Sequence, residues 1–112
     1  MEIYDAHNMS AGSIESILLG WYNSNRVTDD ARDDFYCGIA ENPEERIAVH
    51  ESEDHNGQTI EKSVAYKCDS MEIAASIESD MHNIHNFDIG RPRHVANGAT
   101  ERSVYVYLYR KP

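Results

Sequence analysis

The chain has 112 residues, room for one hydrophobic core and too few for two, so a single domain spanning residues 1–112 is expected. Its 40% apolar and 27% charged content is that of an ordinary globular protein. A formal net charge of −10 argues against nucleic-acid binding through bulk positive charge, and no run of about 18 consecutive apolar residues suggests a membrane span.

The N-terminal stretch MEIYDAHNMS has no basic-plus-apolar signal region, so the expectation is a cytoplasmic protein without a membrane partner. In SIESILLGWYNSN, Ile14, Ile17, Leu18 and Trp21 recur at i, i+3, i+4 and i+7, the apolar stripe of a first helix that Ser10 or Ser13 can cap. RVTDDARDD is too polar for core and reads as a loop with room for a short helical turn. FYCGIA, Phe35 to Ala40, is a short aromatic and apolar run between acidic flanks, hence a strand. A second helix follows with clear start signals: Asn42 as N-cap, Pro43 at the first helical position, and Glu44 and Glu45 at the positive end of the dipole.

EDHNGQT is a turn-rich loop, and IEKSVAYKC reads as a second strand. Asp69 and Glu72 form a plausible capping pair for a third helix, whose stripe is Ile73, Ile77, Met81 and Ile84. NFDIGRPRHVANGATER is a long Gly-, Pro- and Arg-containing loop. The chain closes with SVYVYLYRK, a strand carrying Tyr105, Tyr107 and Tyr109 on one face and Val104, Val106 and Leu108 on the other. The expected fold is α/β, a small three-stranded sheet, mainly antiparallel or mixed, covered by three helices. Cys37 and Cys68 lack CxxC spacing and read as buried thiols. His82 and His85 have no third ligand at a clear spacing and read as structural.

Charge is unevenly distributed. Arg91, Arg93, Arg102, Arg110 and Lys111 stand against only Asp88 and Glu101 after residue 80, so the last third is basic on an otherwise acidic molecule. Tyr36 on the first strand, with Arg46 and His50 one turn apart on the next helix, can make a compact polar site. Arginine supplies a planar fork suited to phosphate, and His or Tyr can move a proton. Equally, Tyr36 can be a core residue and Arg46 a surface partner of Glu44, Glu45 or Glu53.

YCGIAENPEERIAVH resembles the second half of the GIY-YIG nuclease motif, in which a Tyr-X-Gly strand, an Asn/Pro loop and a helix with Arg and then His follow in order. Tyr36, Gly38, Arg46 and His50 stand at the matching positions. MEIAASIES is similar to the family's helix in which a small residue precedes a glutamate by four, here Ala74 and Glu78. The resemblance covers residues 35–84. The family's first signature strand has no counterpart in its usual place, since Gly20–Tyr22 belongs to the first helix; the tyrosine-rich last strand fills that slot in a permuted or variant arrangement, with Tyr105 or Tyr107 supplying the second hydroxyl.

The resemblance implies a GIY-YIG-like endonuclease, cleaving phosphodiesters by metal-assisted hydrolysis. One Mg²⁺ on Glu78 would activate the phosphate, and Arg46 would offset its developing charge. Tyr36 or a last-strand tyrosine would help deprotonate water, for which its ordinary value near ~10 must fall, and His50 would orient a neighbour or take the proton. Under this reading Arg91, Arg93, His94, Asn97 and Arg102 meet the nucleic acid, DNA being the expected partner, with a protein partner for targeting. The alternative is a non-catalytic acidic binding or regulatory protein on the same scaffold, engaging a basic partner.

Overall fold

The structure, a computed structural model, describes residues 1–90 and 99–112. Arg91, Arg93, His94 and Asn97, the expected nucleic-acid contacts of the long loop, lie outside the described residues. The elements are β1 (Glu2–Asp5), α1 (Ala11–Asn25), β2 (Phe35–Ala40), α2 (Pro43–Val49), β3 (Ser63–Lys67), α3 (Met71–Asn83) and β4 (Tyr105–Arg110). A 3₁₀ turn at Arg32–Asp34 leads into β2, and a π-helical turn at His50–Asp54 continues α2. Among the described residues no helix is long and apolar enough to cross a membrane.

Among the described residues the sheet has four strands, in the order β1-β3-β4-β2, not three. β4 runs antiparallel to both of its neighbours, while β1 pairs parallel with β3, so the sheet is mixed. The additional strand, β1, is short and exposed at every position. It carries no buried-face alternation, and its partner lies far along the chain, so nothing local announces it.

The alternation of β4 sorts the core into two layers. Val106 and Leu108 face α1 and α3, where they meet Ile14, Leu18, Ile77, Met81, Phe35 and Val64. Tyr107 and Tyr109 face the other way, with Ala65, Ala40, Ile60 and Ile47 of α2. Each apolar side chain buried this fully contributes about 1.5–3 kcal/mol. Cys37 and Cys68 are both free and buried.

Helix capping follows the sequence in outline. Ser10 Oγ accepts from Ser13 N–H at 3.1 Å, and Asn42 Oδ1 accepts from Glu45 N–H at 3.1 Å. At α3 the cap is Ser70, not Asp69. Asp69 turns instead to the β1–α1 connection, pairing with His7 Nδ1 at 2.8 Å and accepting from Asn8 N–H at 2.9 Å. The apolar stripes are also rotated from their expected lines. α1 buries Ile14, Glu15, Leu18 and Tyr22 while Ile17 is exposed, and α3 buries Ala74, Ile77 and Met81 while Ile84 is exposed.

Candidate functional site

β2 and β4 pair so that Tyr36 lies opposite Tyr109 and Gly38 opposite Tyr107. These side chains share the face that α2 covers. Gly38 is required there: the Tyr107 ring and hydroxyl occupy the space a methyl group at position 38 would fill. The absent side chain lets Tyr107 lie flat across β2 with its hydroxyl aimed at α2. Tyr36 stacks on Tyr109 with ring centroids 5.3 Å apart, and its ring lies 4.5 Å from that of His50.

α2 begins at the Asn42 cap and Pro43, which fixes the helical phase that delivers Arg46 and then His50 over the tyrosines. The chain then widens into the π turn, closed by a 3.1 Å bond from His55 N–H to His50 O. A turn of that width places residues four and five apart on one side of the helix. His50 Nδ1 lies 2.6 Å from Asp54 Oδ2, and its Nε2 lies 2.7 Å from the Tyr107 hydroxyl. In parallel, His55 Nε2 lies 2.9 Å from the Tyr109 hydroxyl.

Tyr36, Arg46, His50, Glu78, Tyr105 and Tyr107 all line one open cleft of about 1630 Å³. Glu78 comes from α3, on the opposite layer, and reaches the cleft at the β2 side of the sheet. Exposure divides the set. Arg46 is exposed and Tyr36, Tyr105 and Glu78 are half-buried, so these present atoms to a ligand. His50 and Tyr107 are buried behind them, at 2% and 1% exposure. Tyr105 sits opposite Ala40 at the far end of the β2–β4 pair, away from the hydrogen-bonded chain. Of the two tyrosines expected to supply the second hydroxyl, Tyr107 is the one tied to His50.

Electrostatics follow from burial. Desolvation, then the Glu78 charge, push the Tyr36 hydroxyl up to about 12, with Arg46 opposing. Tyr107 and Tyr109 are raised chiefly by burial as well, and the Arg46 charge pulls both the other way. The lowered tyrosine expected of a water-activating base is therefore not a property of the chain by itself: all three phenols are held neutral. Burial lowers His50, against the Asp54 hydrogen bond, so its imidazole is neutral near pH 7. Burial raises the Glu78 carboxyl to about 7.

Glu78 is half-buried, and because burial alone raises its carboxyl, a bound divalent cation would favour the ionised form. Among the described residues no group of three or more His, Cys, Asp or Glu side chains is arranged to hold a metal. Mg²⁺ requires no such cage, since one carboxylate with waters and substrate oxygens completes its octahedron. The residues present fit that single-carboxylate arrangement. Arg102 stands apart, exposed and 3.8 Å from Glu41 on the cleft rim.

Sequence reasoning overlooked Asp54, His55, Tyr109 and Asp88. His50 and Asp54 stand four apart, a spacing that on a helix places them side by side, so that partner was recoverable. Asp88 was not. Its backbone bonds to both Phe35 O and Cys37 N–H at 3.0 and 2.7 Å, docking the segment after α3 along the outer edge of β2. Gly90, with φ +76°, then packs under the Tyr36 ring. No family model, curated protein or solved structure matches the chain.

Proposed function

We propose that this chain is a metal-dependent endonuclease of GIY-YIG-like, permuted design that hydrolyses phosphodiester bonds of nucleic acid, DNA in the first instance. The observation that carries the reading is the convergence of Tyr36, Arg46, His50, Tyr107 and Glu78 on one cleft, with β4 paired beside β2. Arg46 is the exposed cation of the set, and its fork can donate to two oxygens of a scissile phosphate. Tyr36 presents a neutral hydroxyl at the cleft surface, able to orient an attacking water by hydrogen bonding. Glu78 would hold the cation, Mg²⁺, which when bound polarises the phosphate and lowers the pKa of nearby hydroxyls. His50 and Tyr107 hold the inner wall and exclude water behind the reacting phosphate.

One observation favours the alternative, an acidic binding protein engaging a basic partner: Glu41, Glu44, Glu45, Glu53 and Asp54 also line the cleft. Nicking of supercoiled plasmid at low salt separates the two. The expected result is slow, Mg²⁺-dependent cleavage inhibited by EDTA. Glu78→Ala and Arg46→Ala, purified in parallel, should each lower the rate by at least about 10²-fold while remaining folded. Identical behaviour of wild type and both variants across several substrates and metals would remove the catalytic reading in favour of the binder.

A further inference from the structure

The buried wall of the cleft is a chain of polar groups with a direction. Asp54, His50 and Tyr107 follow one another through short contacts, 2.6 Å from carboxylate to Nδ1 and 2.7 Å from Nε2 to the phenol, and the Arg46 charge acts on that same phenol. Each link constrains the next. A carboxylate only accepts, so the nitrogen facing Asp54 carries a proton. In a neutral imidazole the other nitrogen is then an acceptor, and Tyr107 must donate to it. With its one proton committed, the Tyr107 oxygen offers only lone pairs, and Arg46, which only donates, is the complementary neighbour.

We infer that Asp54 is a positioning residue: by holding the Nδ1 proton of His50 it fixes the direction of the hydrogen bond to Tyr107, and so leaves the lone pairs of that phenol for the Arg46 guanidinium that meets a phosphate. The inference rests on the proposed phosphodiester site for its purpose, but not for its geometry. Asp54 is suited to the part. Its side chain is 56% exposed while His50 is 2% exposed, so the carboxylate remains solvated while orienting a buried ring. Without it, the Nε2–H tautomer becomes available, and two donors, His50 and Arg46, would compete for the Tyr107 oxygen. The other groups around the ring are Tyr36, Tyr109 and His55, and none replaces the missing acceptor at Nδ1.

The test is the protonation pattern of the His50 ring, read from ¹⁵N NMR at pH 7.5 in wild type, Asp54→Ala and Asp54→Glu. Wild type should show a protonated Nδ1 and an unprotonated Nε2, with a slowly exchanging Tyr107 hydroxyl proton. Asp54→Ala should shift the ring toward Nε2–H and erase the hydroxyl signal. Asp54→Glu should restore part of the wild-type pattern. A wild-type ring protonated at Nε2 overturns the proposal, even if neither variant folds. So does an Asp54→Ala spectrum unchanged at His50. If the tautomer responds as stated but wild type cleaves no substrate, the relay stands and the endonuclease reading falls.

Discussion

At Gly38 the requirements of strand and site meet. Glycine normally weakens a strand, and replacement by alanine at an unstrained position adds about 0.4–1 kcal/mol. Here the sign reverses, because the added methyl would overlap the Tyr107 hydroxyl and ring. Gly38→Ala is expected to cost about 1–3 kcal/mol in urea unfolding and to break the His50–Tyr107 hydrogen bond, visible as loss of the hydroxyl proton resonance. A variant as stable as wild type with that resonance intact would show that the ring has room to move. Gly38 stood out in the sequence through its spacing from Tyr36, Arg46 and His50, although the tyrosine it accommodates lies in another strand. Tyr109 was hidden for a related reason. Three tyrosines alternate along β4, and only pairing with β2 distinguishes the end at Ala40 from the one at Tyr36.

Among the elements, α2 was the most legible, because Asn42, Pro43 and the two glutamates are local start signals that need no tertiary partner. The faces of α1 and α3 were less so. Their apolar residues lie on more than one side, and the buried line is set by the helices packing against each other and the sheet. One result is that Glu15 is only 9% exposed in the α1–α3 contact. Burial first, then the charge and hydrogen bond of Asp80, raise its carboxyl from 4.5 to about 7. The folded-state value thus exceeds the unfolded one, so the fold favours the protonated form. Its contribution is complete below pH 4.5 and is lost as pH rises through about 7. Glu15→Gln, which keeps a neutral hydrogen-bonding group, should match wild type in urea denaturation at pH 4.5. At pH 8 it should be more stable by about 1–2 kcal/mol. Equal stability of the two proteins at both pH values would show that the carboxyl ionises without penalty.

For the whole molecule, net charge and the acidic cleft rim set the approach of any polyanion. Glu44 and Glu45 are exposed immediately before Arg46, in the first turn of the same helix. They also sit at the positive end of α2, where each contributes about 0.3–1 kcal/mol to the helix. The Glu44→Gln/Glu45→Gln double variant should therefore be slightly less stable yet have a KM for nucleic acid about threefold to tenfold lower at low salt. An unchanged or higher KM would mean that these acids do not oppose the substrate, and would strengthen the case for a basic partner.

The sheet order has a consequence of another kind, for how the molecule is reached from a disordered chain. β2 and β3 never touch; β4 lies between them and supplies each with its partner. Until residues 105–110 return from far along the chain, both strands carry open edges and the tyrosine wall has no floor. Such distant pairings are entropically costly to close and therefore slow to form. In that interval the exposed edge of FYCGIA can recruit the matching strand of another copy in place of β4. The strand that completes the cleft is thus also the clasp that ends the period of greatest exposure to aggregation.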